Sequence, residues 1–185
     1  VSKQVSNEKP LFIVDAMLGK LAKKLRLLGY DSLYSSSMED DELLHIAKNE
    51  NRVIITKDLQ LIHKAKKHQI ASIQITKNEE IEQFLQINEK INLGKCTISG
   101  SNSRCLVCNG ELKYTEKKDI SEKVPTGVFE NMNDFWTCNK CGKVYWEGTH
   151  IKNLQKFNAE LNDRLSSWAK ELDGKRSCLK QSYQY

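Results

Sequence analysis

Four of the six cysteines stand as two C-x-x-C pairs, Cys105 with Cys108 and Cys138 with Cys141, and no other feature constrains the chain as strongly. Cys105-Leu-Val-Cys108-Asn-Gly and Cys138-Asn-Lys-Cys141-Gly each present two thiolates on a tight turn. Asn109 and Gly142 come next in each turn, and both residue types accept the positive φ that a backbone wrapping a metal requires. Two such turns make a closed four-thiolate tetrahedral site. That chemistry points to structural Zn²⁺ held by Cys105, Cys108, Cys138 and Cys141, with no coordination position left for catalysis. A secreted disulfide framework is disfavoured by the paired spacing. A redox dithiol is disfavoured because two pairs occur and neither follows a clear strand-to-helix turn. Cys96 and Cys178 stand alone.

Ahead of the cysteines the chain repeats a strand-then-helix rhythm. Leu11 to Val14 is an apolar run of the kind buried on both faces of a sheet, and it ends at Asp15. The period then changes: Met17, Leu18, Leu21, Ala22, Leu25 and Leu28 share one helical stripe, with Lys20, Lys23, Lys24 and Arg26 largely off it. Gly29 is placed to end that helix. A second strand covers Asp31 to Ser35, and the helix after it carries Leu43, Leu44 and Ala47, with Asp40 or Asp41 as its N-cap. Val53 to Thr56 is a third, β-branched strand leading to Asp58, which can cap a helix carrying Leu61, Ile62 and Ala65. Ile70, Ile73 and Ile75 suggest a fourth strand, and Ile81, Phe84, Leu85 and Ile91 a fourth helix. Such alternation implies an α/β fold, a parallel sheet covered by helices.

The expected organisation is a disordered N-terminal segment (1–10), the α/β domain (11–92), a zinc ribbon (93–150), a C-terminal amphipathic helix (151–173) and a frayed basic tail (174–185). In the helix, Leu154, Phe157, Leu161, Leu165, Trp168 and Leu172 recur close to a heptad seam, which either folds back on the domain or docks a protein partner. Phe135, Trp136, Tyr145 and Trp146 are expected to pack the small ribbon core, base stacking being the alternative. His150 reads as a capping, packing or phosphate-contact residue, and His45, His63 and His68 as surface residues. A length of 185 residues with 39% apolar types suits one ordinary core plus a smaller one. No run approaches a membrane span and no signal-peptide core opens the chain, so a soluble, cytoplasmic protein is expected. The net charge of +5 is compatible with a nucleic-acid partner without demanding one.

The acids carry the candidate chemistry. Asp15, Asp40 or Asp41, and Asp58 all project from one edge of a parallel sheet, where ligands bind. Carboxylates converging there repel one another unless a hard cation, Mg²⁺ or Mn²⁺, neutralises them, and such a site can support phosphodiester cleavage. Helix capping is the plainer role for Asp40, Asp41 and Asp58, and capping near Met17 for Asp15. The lysines of the first helix read either as a solvated face or as phosphate contacts beside the acids.

Taken together, DAMLGKLAKKLRLLGYD, DDELLHIA, RVIITKD, the two C-x-x-C turns and FWTCNKCGKVYWEGTH resemble the mut-seven C-terminal ribonuclease family, a PIN-like nuclease domain fused to a zinc ribbon. The resemblance covers Leu11 to about Leu154. It implies a PIN-like sheet, metal-dependent cleavage of RNA with Asp15 and Asp58 as strand-end acids and Asp40, or else Asp41, between them, and zinc on the four cysteines. Lys24 stands where the family often has tryptophan, and Asn78 and Glu79 are the polar residues near the end of the fourth strand, where many PIN domains place a further acid. Lys20, Lys23, Arg26 and Lys57 are the expected contacts to the RNA strand, with a ribonucleoprotein or protein partner as a second possibility through the C-terminal helix. The competing function is a non-catalytic RNA- or ribonucleoprotein-binding module that keeps the same fold.

Overall fold

The computed structural model describes the backbone of residues 9–148 and 151–181 and the side chains of 9–148 and 153–170. The readings for residues 1–8, His150, the side chain of Leu172 and residues 182–185 lie outside this set. Residues 9 and 10, expected to be disordered, are placed: Lys9 Nζ donates to Leu28 O at 3.2 Å and to Asn102 Oδ1 at 3.0 Å.

Four short strands, β1 (Phe12–Val14), β2 (Ser32–Tyr34), β3 (Val53–Thr56) and β4 (Ser72–Gln74), form a parallel sheet in the order β2-β1-β3-β4. Helices α1 (Gly19–Leu27), α2 (Asp40–Asn49), α3 (Leu59–Lys67) and α4 (Glu80–Lys90) alternate with them. Phe12, Ile13 and Val14 are all buried because both faces of the sheet are covered. Phe12 and Val14 join one core with α1 and α4, while Ile13 and Ile54 join a second with Leu43, Leu44, Leu61 and Ala65 of α2 and α3. The chain leaves β1 toward β2 on one side and β3 toward β4 on the other. The crevice between the carboxyl ends of β1 and β3 is therefore the topological switch point, where open α/β sheets bind ligands.

The second unit is a three-stranded antiparallel sheet of β5 (Leu112–Thr115), β6 (Phe135–Cys138) and β7 (Val144–Trp146). A short helix, α5 (Thr126–Asn131), lies in the connection between β5 and β6. Ile120, Val124, Phe135 and Val144 are its whole buried apolar cluster, so Phe135 packs as expected. Trp136 is half-buried edge-on to Tyr114, and Trp146 is exposed.

Helix α6 (Ile151–Gln181) folds back: Leu161 and Leu165 enter the core of the α/β unit, and Phe157 packs edge-on against Phe84 with centroids 5.8 Å apart. It continues through Gly174, where a frayed tail was expected. The cost of a single glycine, about 1 kcal/mol, is outweighed by flanking Leu, Lys, Arg and Gln, all good helix formers. Lys24, on α1, stacks 3.5 Å from the Phe157 ring centroid and pairs with Glu80 at 2.6 Å, which explains a lysine at a packing position. No described helix is long and apolar enough to cross a membrane.

Asp31 ties the two units together. It accepts from Arg52 Nη1 at 2.6 Å, Asn109 Nδ2 at 2.9 Å and Arg104 Nη2 at 3.1 Å. Burial pushes its carboxyl up, but the bonds from Arg52 and Asn109 and the charges of Arg52 and Arg104 outweigh this and hold it below the usual carboxylate range. A depressed folded-state pKa means that its stabilisation is full above the ordinary carboxylate pKa and is lost as pH falls through the lower folded value. Asp31→Asn is expected to destabilise the chain by roughly 2 to 3 kcal/mol near neutral pH, less than for a fully buried pair, with the gap to the parent closing in acid. Urea unfolding of both proteins across that range checks it.

Candidate metal centre and sheet-edge site

The two C-x-x-C turns converge. The four Sγ atoms of Cys105, Cys108, Cys138 and Cys141 all lie within 4.8 Å of one another. Cys108 and Cys138 are 3.4 Å apart, Cys105 and Cys141 3.6 Å. Zinc bound to four thiolates at ~2.3 Å requires S···S edges of ~3.8 Å, so the cluster is of the size and shape that zinc needs. Asn109 (φ +64°) and Gly142 (φ +73°) have the left-handed backbone expected of each turn. Backbone N–H groups of Cys108, Lys140 and Cys141 point at the sulfurs, and Tyr145 Oη lies 3.1 Å from Cys105 Sγ. Burial pushes the Cys105 thiol up, but the Tyr145 hydroxyl and the Cys108 and Val107 N–H groups overcome it and bring the thiol down to about 6. Donors of this kind stabilise a thiolate ligand.

At the other site, the acids differ in what their side chains bind. Asp15 follows β1 directly and occupies the N-cap position of a 3₁₀ turn, Ala16–Leu18, in line with the plainer expectation. It makes no side-chain cap bond; its Oδ2 instead accepts from Thr56 Oγ1 at 2.6 Å. The same Thr56 oxygen accepts from Asp58 N–H at 2.9 Å. Thr56, buried at the last position of β3, thus bonds the Asp15 carboxylate on one side and the Asp58 backbone N–H on the other. By sequence Thr56 is a strand residue, and the one signal of a further role is a hydroxyl closing an apolar strand two residues before an acid. Asp58 also caps α3, accepting from Gln60 N–H at 2.7 Å through one of its two oxygens.

Asp40 and Asp41 lie on α2, where their charges act on Lys64 of α3 together with that of Asp58. The cap position of α2 is Glu39, without a side-chain cap bond, so neither aspartate is the N-cap. Both lie inside the first turn, where they favour the helix dipole. Asp40 pairs with Lys64 of α3 at 2.9 Å, and Asp41 lines a shallow hollow with His45 and His68. Among the described residues the four cysteines are the one group of three or more side chains close enough to hold a metal; the aspartates do not form such a group.

Beside Asp15 opens a cleft of about 480 Å³, lined by Lys20, Lys23, Lys24, Tyr34, Lys57, Asn78 and Gln83 among others. Lys20 and Lys23 are exposed, and Lys57 Nζ is held by Asn78 Oδ1 at 2.9 Å. Gln83 Nε2 donates to Lys77 O and Asn78 O, and Gln86 Oε1 accepts from the N–H groups of Thr76 and Lys77, so the loop carrying Asn78 is fixed. Arg26 is not in the cleft. It is 3% exposed, with Nε on Ser32 O at 2.9 Å and Nη1 on Leu106 O at 2.9 Å, and so joins the ribbon to the sheet where an RNA contact was expected. The helical stripe could not reveal this, because the partner carbonyl lies far along the chain.

Against known families, the profile of the Mut7-C RNAse domain matches residues 10–158, from just before β1 into α6. The chain belongs to the Mut7-C RNAse domain family. The match takes in the α/β unit, the switch-point acids and all four cysteines, and ends within α6 just after Phe157, the residue stacked on Lys24. No curated protein matches the chain significantly. Within a Mut7-C RNAse domain, a cysteine cluster able to hold zinc and a lysine-lined cleft at the sheet edge are the two sites with evident chemistry.

Proposed function

We propose that this Mut7-C RNAse domain is a metal-dependent endoribonuclease hydrolysing RNA phosphodiester bonds at the crevice between β1 and β3. One observation carries the reading: Thr56 bonds the Asp15 carboxylate and the Asp58 backbone N–H, and the residues next to these acids, Ala16 and Lys57, line a cleft together with Lys20 and Lys23. Two carboxylates fit Mg²⁺ or Mn²⁺, because such ions keep several waters and are commonly held by one or two carboxylates together with substrate phosphates. Bound at Asp15 and Asp58, the ion would supply Lewis acidity toward the phosphodiester and a more acidic water. Thr56 keeps Asp15 oriented by donating to Oδ2, and the lysines balance the phosphate charge. The cysteine cluster holds zinc for structure, and exposed Tyr114 beside Trp136 gives the ribbon a surface for RNA or a protein partner. Among the described residues the cysteines are free thiols, which suits a reducing compartment such as the cytoplasm.

The lysine roles have a direct test. Lys20→Ala, Lys23→Ala and Lys57→Ala are each expected to weaken RNA binding and to flatten the slope of log K against log salt by roughly 0.7 for a single-stranded probe. Arg26→Ala should instead leave the slope unchanged and destabilise the fold by about 1 to 3 kcal/mol, since it strands the carbonyls of Ser32 and Leu106. Titrations by fluorescence anisotropy at several salt concentrations, with urea melts, separate the two behaviours.

A second reading, an RNA- or ribonucleoprotein-binding module without catalysis, draws on the acids: Asp40 is engaged by Lys64 and no three-carboxylate group forms among the described residues. Salt-dependent RNA binding with no cleavage under Mg²⁺ or Mn²⁺ selects it.

A further inference from the structure

The first cysteine turn, residues 105–110, is built into the edge of the α/β sheet. Asn109 Oδ1 accepts from the N–H of Ser32 at 3.0 Å, and Arg26 bridges Ser32 O to Leu106 O, both at 2.9 Å. Ser32 belongs to β2, an edge strand of three residues paired on one side only, with β1. An edge of this kind exposes unpaired backbone groups unless something covers it, and here the turn does so. On its other side the turn is tied to the sulfur cluster: Tyr145 Oη accepts from Leu106 N–H at 3.0 Å and lies 3.1 Å from Cys105 Sγ.

The same two elements reach the cleft. Two residues beyond Ser32, Tyr34 lines it and donates to Ala16 O at 3.2 Å, next to Asp15. Tyr34 fits so closely beneath Gly19 that a Cβ there would lie 2.5 Å from its hydroxyl. Helix α1 carries Arg26 near one end and the cleft residues Lys20 and Lys23 toward the other. A continuous set of hydrogen bonds and two short rigid elements therefore runs from Cys105 to the cleft wall.

We propose that zinc loading of the ribbon sets the geometry of the cleft, with Asn109 and Arg26 as positioning residues that hold β2 and α1. A four-thiolate turn acquires its fixed backbone on binding metal. Without that turn the Ser32 N–H and Arg26 Nη1 lose their partners, Asn109 Oδ1 and Leu106 O, together, and the cleft wall loosens although no cysteine touches it. The structural coupling stands independently of the ribonuclease reading; its consequence for RNA rests on that reading.

Hydrogen exchange on the full chain tests this, comparing zinc-loaded protein with protein stripped of zinc under reducing conditions, zinc content being measured in each. Exchange in β2 and α1 is expected to speed up at least about tenfold on stripping, the worth of one or more ordinary hydrogen bonds, while α2 and α3 on the opposite face hold their protection. Asn109→Gly keeps the positive φ without strain and leaves all four cysteines, so it should bind one zinc per chain yet show fast exchange at Ser32, whose N–H it releases, and at Leu33, whose N–H faces β1. Its KM for RNA should rise several-fold with kcat changed less than about twofold. Native protection of β2 and α1 in stripped protein, or parent-like β2 exchange in zinc-loaded Asn109→Gly, overturns the proposal. If stripping unfolds the whole chain, the zinc-loaded variant decides alone. Fast β2 exchange in Asn109→Gly with unchanged RNA affinity keeps the coupling and counts against the cleft as the RNA site.

Discussion

Cys138→Ser is expected to abolish zinc binding and unfold the ribbon. Cys138 closes β6, lies opposite Leu112 in the sheet, and places its Sγ 3.4 Å from that of Cys108. Apart from the cysteines, the ribbon's own buried cluster among the described residues is Ile120, Val124, Phe135 and Val144 with a few partly covered neighbours, too little apolar surface to offset the ordering of its backbone. Metal binding must supply the difference. Structural zinc sites contribute on the order of 10 to 16 kcal/mol of apparent binding free energy near neutral pH, so losing one ligand removes more than the whole stability of so small a unit. Zinc content should fall to near zero and exchange protection in β5, β6 and β7 should vanish. Retention of zinc and of β6 protection in the variant would contradict the assignment.

Asp15→Asn should reduce RNA cleavage by about 10³-fold or more while the chain stays folded. The substitution preserves shape, and the amide oxygen can still accept from Thr56 Oγ1, so the crevice keeps its local geometry. What disappears is the negative charge that a divalent ion requires. Asp58→Asn should also be severe, with an added loss of up to about 1 kcal/mol in stability from the weaker cap on α3. Asp40→Asn should have little effect on cleavage, because that carboxylate is engaged with Lys64 on an exposed surface. Rates under single-turnover conditions, with melting curves for each variant, distinguish lost chemistry from lost fold. An Asp40 variant as inactive as the Asp15 variant would mean that α2 moves on binding substrate and that its acid joins the other two.

The parts legible in the sequence were those set by neighbours along the chain. The apolar runs before Asp15 and Asp58 marked two central strands, and Gly29, Asn109 and Gly142 marked turns that do have positive φ. The cysteine spacing carried enough chemistry to place four residues of the metal centre without any knowledge of the fold. What escaped depends on partners distant in sequence. Arg26 looks like one more charge on a basic helix, but the carbonyls it binds belong to β2 and to the first cysteine turn. Lys24 likewise owes its position to Phe157 and Glu80. Helix capping at Asp40 or Asp41 failed for a local reason: Glu39 occupies the cap, and acids one or two positions later already gain from the dipole without a hydrogen bond. Thr56 was hidden because β-branched residues are common in strands, so its hydroxyl gave no sign of acting between two acids.

The most direct test is cleavage of an end-labelled RNA by the zinc-loaded parent protein, with Mg²⁺, with Mn²⁺, and with no added divalent ion. A chelator is left out so that the cysteine cluster keeps its zinc. The account predicts internal cuts that appear only with Mg²⁺ or Mn²⁺. Binding of the same RNA without any divalent-dependent cleavage would contradict it.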